Sequence, residues 1–460
     1  MGNKKNAWLK FDDTKKEEIF SFCEGYKKYI SDCKTERESI KEAIYLAESK
    51  GYRDLKNVIS TGESLKAGDK VYYNNMDKSL ALFLIGSESI ESGMRIIGSH
   101  VDSPRLDLKP NPLYEDSELS LMETHYYGGV KKYQWVTIPL ALHGVVVKKD
   151  GTKIDVVVGE EETDPVVMVS DLLIHLAAEQ QQKKAAEVIA GEDLNILVGS
   201  MPLEGEEKEA VKANILKLLK EKYDFEEEDF MSAEIEIVPA GKARDLGLDR
   251  SMVAGYGHDD RICAYTSLLA LLETESVKKT SVVLLVDKEE VGSIGATGMQ
   301  SRFFENAVAE LMDRVGEYSE LKLRRALANS KMLSSDVTAA FDPNYAGAYE
   351  KKNSAFFGKG LAFAKYTGAR GKSGCNDANA EFVAWLRNVM DENDVAYQMA
   401  ELGKVDQGGG GTIAYILAEY GMEVIDCGVA LQNMHAPWEV ASKVDIFETM
   451  RGYKAFLMAE

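Results

Sequence analysis

This 460-residue chain lacks the excess of positive charge that a nucleic-acid or membrane-surface protein carries. Its 55 Lys and Arg stand against 76 Asp and Glu, a formal net charge of −21. A field of that sign repels phosphate backbones and anionic lipid, so neither is expected as a partner. Cysteine is sparse: Cys23, Cys33, Cys263, Cys375 and Cys427 are odd in number, scattered, and form no C-x-x-C pair. That excludes a disulfide framework and a thiolate zinc site, and it points to a reducing compartment. No apolar run approaches membrane-spanning length. Residues 1–18 hold no apolar core of signal-peptide length, and Asn6 stands where a myristoylation site needs Ser or Thr. A cytoplasmic protein is expected. The GGGG run at 408–411 lacks the lysine of a phosphate-binding loop, which disfavours nucleotide binding. No internal repeat or low-complexity segment is present.

What the chain does contain is an apolar fraction of 45% with 38 glycines and 9 prolines, the balance of a globular protein too long for one ordinary domain. Charged, glycine-poor sequence with apolar residues at helical spacing predicts one or two amphipathic helices over 13–49. Leu80–Ile85 and Met94–Ile97 read as consecutive strands. After Pro104 the texture changes: residues 133–158 alternate and turn at Asp150-Gly151, as antiparallel hairpins do. A helix is expected over 170–190, a charged helix near 206–222 and a strand over Ala233–Val238. From Arg261 onward helices (261–274, 301–317) and strands (Ser281–Val286, then a helix–strand pair in 412–431) alternate again. This predicts an α/β catalytic domain, residues 1–103 and 250–460, built on a mostly parallel sheet. A β-rich domain of residues 104–249 is inserted into it.

Metal-ligand side chains recur in a fixed order along the catalytic halves: His, Asp, Glu-Glu, Asp, His. They are His100, followed by Asp102; Asp259 and Asp260; Glu289 and Glu290; Asp336; and His435. Most stand at or just beyond the end of an apolar, strand-like run, where ligands bind in open α/β sheets. Each motif has an ordinary alternative. His100 read alone is a core histidine, Asp259-Asp260 an acidic helix start, Asp336 a turn residue and His435 a loop residue. Taken together, two imidazoles with several carboxylates form the mixed N/O set that suits zinc, cobalt or manganese. Asp102 is placed to accept the second N–H of His100 and fix its tautomer. Adjacent residues on extended chain face opposite ways, so one of Glu289 and Glu290 can ligate while the other serves as general base. His125, His143 and His258 are read as structural.

These segments resemble the aspartyl aminopeptidase-like metallopeptidases, a branch of the dinuclear-zinc exopeptidases. The likeness runs from His100-Val101-Asp102-Ser103-Pro104 through Asp287-Lys288-Glu289-Glu290-Val291-Gly292-Ser293, its most specific piece, to Met434-His435. It implies two divalent ions per subunit, zinc in the first place, with cobalt and manganese as alternatives. By the resemblance His100 and Asp336 hold one ion, Glu290 and His435 the other, Asp259 bridges them, and Glu289 is the base. It also implies that the inserted domain dimerises and that dimers build a tetrahedral dodecamer. His175 falls where the family has a histidine reaching a neighbouring subunit's site; the alternative is that it faces its own domain. Removal of the amino-terminal residue from peptides is the expected reaction. A carboxypeptidase or deacylase with the same kind of site is the alternative, and a non-catalytic chamber-forming protein has no use for Glu289. The chain departs from the aspartyl enzymes at His258-Asp259-Asp260-Arg261 and after His435. Preference for acidic amino-terminal residues therefore does not carry over, Asp260 stays open as the bridging residue, and Lys365 or Lys372 is available to contact an acidic side chain.

Overall fold

Two capped helices open the described chain, which in this computed structural model comprises residues 5–460. The Asp12 carboxylate accepts the Lys15 N–H at 2.8 Å and starts the helix Asp13–Asp32. Thr35 and Glu38 form a capping box for Glu36–Ser49. These helices bury Ile19, Cys23, Tyr26 and Ile30, then Ile40, Ala43 and Ala47, the face that their sequence periodicity marks.

The chain divides into two compact units. The larger contains the residues up to Asp102, Ala243–Met434 and Glu439–Glu460; the smaller contains Ser103–Lys242 and His435–Trp438. At the centre of the larger unit is a nine-stranded sheet. Its middle four strands, in the order Ser281–Val286, Arg95–His100, Lys331–Ser335 and Glu423–Gly428, run parallel. Neighbours in sequence along these strands enter opposite faces of the sheet. Ile97, Leu285, Leu333 and Ile425 join one apolar cluster; Ile96, Leu284, Met332 and Val424 join the other. Burial on both faces is why these strands read as unbroken apolar runs. Antiparallel strands flank the parallel core, Ser79–Leu84 on one side and Leu361–Ala364 on the other. The strands expected at 80–85 and 94–97 are consecutive along the chain, as Ser79–Leu84 and Arg95–His100, but are not neighbours in the sheet. Ser281–Val286, far away in sequence, lies between them.

The smaller unit holds a seven-stranded antiparallel sheet. The hairpin of Leu140–Val147 and Lys153–Val158 turns at Gly151, whose φ of +87° suits glycine. The helix near 206–222 is present as Ala210–Tyr223. The helix expected over 170–190 is not there. Short 3-10 turns, Ile174–Leu176 and Gln180–Gln182, take its place. Helices in proteins are stabilised mainly by packing an apolar face, and here Leu172, Leu173, Ile174 and Leu176 are all exposed.

The insertion ends at Lys242, earlier than the expected 249. Arg244–Leu246 pairs with Met252–Gly255, which pairs with Glu439–Ser442. Asp245 is tied to Lys27 at 2.6 Å and to the fully buried Lys443 at 2.8 Å. These contacts bind residues 243–249 to the larger unit, and an antiparallel texture alone does not reveal them.

Candidate metal centre

The carboxyl ends of the parallel strands deliver the acidic and imidazole groups. His100 is the last residue of its strand, Asp336 directly follows Lys331–Ser335, and Glu289 and Glu290 form a 3-10 turn just past Ser281–Val286. Asp259 and Asp260 stand at the start of the helix His258–Leu272, joined by a cis peptide. The Asp259 N–H is held by the buried Glu439 carboxylate at 3.0 Å.

Two sets of ligand-type atoms share one imidazole. His100, Asp260 and Asp336 each place a donor atom within 4.8 Å of the others, and so do His100, Asp259 and Glu290. His100 Nε2 lies 3.2 Å from Asp259 and 3.9 Å from both Glu289 and Asp336. Its Nδ1 donates to the Asp102 carbonyl oxygen at 2.9 Å, which leaves Nε2 as the nitrogen that faces the carboxylates. Asp102 faces Nδ1 with two oxygens, its backbone carbonyl and its carboxylate. The shorter contact to the imidazole comes from the backbone oxygen, and the carboxylate lies 3.4 Å away. That carboxylate also accepts the N–H groups of Glu289 and Glu290, each at 3.2 Å. The chain turns immediately after the strand, which aims the Asp102 side chain at the neighbouring strand end.

The electrostatics of this cluster call for a cation. Burial by itself would depress the His100 imidazole, but the carboxylates of Asp102, Asp259, Glu289 and Asp336 hold it well above its ordinary range. Burial pushes Asp260 well up, and the charge of Asp336 adds to the effect. Asp336 is likewise raised, by burial first and then by Glu289 and Asp259 against the opposing imidazole. Neither buried oxygen of Asp260 finds a hydrogen-bond partner of ordinary geometry. Crowded carboxylates with an open imidazole nitrogen are what a divalent ion with N/O preference satisfies. The residues present fit such an ion.

Two expected site residues belong by packing to the smaller unit. In His435 the Nδ1 atom lies 2.8 Å from the Gly129 carbonyl oxygen, the same tautomer-fixing contact that His100 makes. His175 is exposed on the turn Ile174–Leu176. Lys365 and Lys372 both pair with Asp377, at 2.9 and 2.7 Å. His258, read as structural, is fully buried with Nδ1 2.5 Å from the Tyr26 hydroxyl, and burial pushes its pKa down to about 3.

Sequence reasoning did not single out Glu439 as a support, nor Asp426, a buried acid whose carboxyl is pushed up to about 6 by burial. The only signal at Asp426 was an acid inside an otherwise apolar strand.

Residues 29–457 match the aminopeptidase I zinc metalloprotease (M18) family. The chain is 66% identical over 454 residues to a probable M18 family aminopeptidase 1 of Clostridium acetobutylicum, covering 98% of each chain. It is 46% identical over 455 residues to its counterpart in Thermotoga maritima, covering 99% of this chain and 98% of that one. The crystal structure of the T. maritima M18 aminopeptidase superposes with a TM-score of 0.95, at 45% identity and 99% coverage of both chains. That of aminopeptidase I from C. acetobutylicum gives 0.93, at 65% identity and the same coverage. A yeast aminopeptidase 1 dodecamer shares the fold with a TM-score of 0.77 at 20% identity, covering 95% of this chain and 96% of that one. Strand-end ligand geometry, full-length identity and superposition agree, and the chain belongs to the aminopeptidase I zinc metalloprotease (M18) family, as a hydrolase of the aminopeptidase class.

Proposed function

We propose that this aminopeptidase works with two divalent ions per subunit, zinc in the first place, held by His100, Asp259, Glu290, Asp336 and His435. The observation that carries this reading is the sharing of His100 between two carboxylate groupings, Asp260 with Asp336 and Asp259 with Glu290. Together the groupings bring one imidazole and four carboxylates into reach, more donors than a single tetrahedral ion takes. Asp259 is the proposed bridging carboxylate, and Glu439 fixes its backbone.

When bound, the ions lower the pKa of water and polarise the scissile carbonyl. The chain's own residues do the rest. Glu289, close to His100 Nε2 and fixed through its N–H by Asp102, takes a proton from the attacking water and passes it to the departing amine. A second metal site with carboxylate nearby suits the free α-amino group of a peptide, so cleavage removes one residue from the amino end. Asp102 is a positioning residue, since it holds His100, Glu289 and Glu290 together.

The smaller unit is the proposed dimerisation domain, and dimers are proposed to assemble into a tetrahedral dodecamer, as the yeast relative forms a dodecamer. Its exposed apolar run Leu172–Leu176 supports burial against another copy, and the same run carries His175, the proposed donor to a neighbour's site. Among the described residues no helix is long and apolar enough to cross a membrane, and no cysteine is in a disulfide. Both support a cytoplasmic location.

Metal analysis and an aminoacyl-arylamide assay test the proposal together. Two ions per chain are expected, with turnover of free but not amino-blocked substrates. One ion per chain at full activity contradicts the dinuclear reading, and cleavage of blocked substrates contradicts recognition of the amino group.

A further inference from the structure

Of the four consecutive glycines at 408–411, the fold explains two. A side-chain carbon at Gly408 would lie 1.7 Å from the Leu402 carbonyl oxygen, and Gly409 has a φ of +123°. Gly410 and Gly411 have neither reason. Their backbone avoids the left-handed region, and a Cβ at either would meet nothing within 4 Å. Glycine in a loop loses more conformational freedom on folding than any other residue, so its use where nothing in the chain demands it points to something that approaches from outside.

The segment is nonetheless held at both ends. The Gly410 N–H donates to the Thr367 carbonyl at 3.1 Å. The Thr412 hydroxyl donates to Asp426 Oδ1 at 2.6 Å and accepts the Ala414 N–H at 3.3 Å. Asp426 is only 3% exposed, and its other oxygen finds no partner of ordinary geometry. Burying a carboxylate is costly, and the side chains of Thr412 and Ser334 offset only part of that cost, since burial still holds the carboxyl raised. Asp426 is in register with Ser334, two residues before Asp336 on the adjacent parallel strand. The fixed end of the glycine run therefore lies beside the strand end that carries Asp336.

We propose that Asp426, acting through Thr412, positions Gly410 and Gly411 as a bed for the main chain of the peptide substrate. An extended peptide offers N–H and C=O groups that need close approach to backbone, which a Cβ on that surface would prevent. Asp426 and Thr412 touch no reacting atom; they are positioning residues. The inference rests on the aminopeptidase reading of the same site.

Calorimetry with a tripeptide on the metal-loaded Glu289→Gln protein, which binds without turnover, separates the two. In that background Gly411→Ala and Thr412→Val are expected to weaken binding about tenfold, the effect of one main-chain hydrogen bond left unmade. Thr412→Ser keeps the hydroxyl and should stay within about twofold on the same scale. Metal content and oligomer size should not change. With Glu289 intact, the same substitutions should raise KM for peptides while kcat changes less. If Asp426→Asn does not fold, the Thr412 and Gly411 variants carry the test. Unchanged tripeptide affinity in Gly411→Ala and Thr412→Val overturns the proposal. So does an altered oligomer with unchanged affinity, which would make a second copy the occupant. Absence of tripeptide binding in the Glu289→Gln parent, with no hydrolysis by the wild type, removes the aminopeptidase reading itself.

Discussion

The Asp102 carboxylate accepts the backbone N–H of Glu289 at 3.2 Å, across 187 residues of sequence, and that of Glu290 at the same distance. Its own carbonyl oxygen meanwhile receives His100 Nδ1. One residue thus ties the ends of two adjacent parallel strands into a single ligand-bearing unit. Asp102→Ala should lower metal affinity about 10–100-fold, as loss of a ligand's support does, and activity should recover in part with added zinc. Metal titration against a competing chelator measures this. Unaltered affinity would place the weight of the support elsewhere.

Glu289→Gln should cut kcat by a factor of about 10²–10⁴ while the bound metal stays, because the amide keeps the shape and loses the base. Elemental analysis beside steady-state kinetics decides it. A variant with near wild-type kcat excludes Glu289 as the proton carrier.

Asp259→Ala and His435→Ala should lose metal and activity together, since each removes a proposed ligand. Asp260→Asn provides the contrast: if Asp259 bridges, the Asp260 variant retains more metal than the Asp259 variant. Full metal content in His435→Ala would end its candidacy as a ligand.

His175 is exposed on the smaller unit and remote in sequence from every proposed ligand. If it donates to the oxyanion in a neighbour's site, His175→Ala lowers kcat with little change in KM or metal content. Mixing that variant with Glu289→Gln subunits should then restore activity, because a mixed assembly pairs an intact His175 with an intact Glu289. Proven subunit exchange without any recovery rules out action across subunits.

Asp245 governs a pH effect on stability. Burial raises its carboxyl, but Lys27, Lys443 and Arg250 together hold it well below its ordinary value. A depressed folded-state pKa means that its stabilisation is complete above the ordinary carboxylate pKa of about 4 and is lost as pH falls through lower values. Asp245→Asn should cost on the order of 3 kcal/mol at pH 7, because Lys443 is left buried without its counter-charge. Chemical denaturation at pH 7 and again below pH 4 should show the gap between variant and wild type shrinking. A gap that is constant with pH would exclude the ion pairs as its source.

Much of the catalytic unit was legible in the chain itself. The strands ending at His100 and Val286 are buried on both faces, so their apolar runs are continuous and the polar residue that follows marks a strand end. Local chemistry also sets the helix starts at Asp12 and Thr35. The doubled glutamate stood out because an apolar run ends abruptly in acids that no cap or helix face accounts for.

Tertiary structure alone decided the rest, and the reason is distance along the chain. Nothing near Asp102 reveals that its carboxylate holds the amides of Glu289 and Glu290. Nothing near Asp245 reveals that Lys27 and Lys443 draw residues 243–249 into the larger unit. The segment 170–190 has helix-forming composition but packs too little of itself to become a helix, and burial is a property of the whole fold. The residue types and their order determined the kind of chemistry, because side-chain charge and ligand preference are local. Which carboxylates share His100, and which glycines the fold leaves unexplained, became visible only once sheet register brought distant residues together.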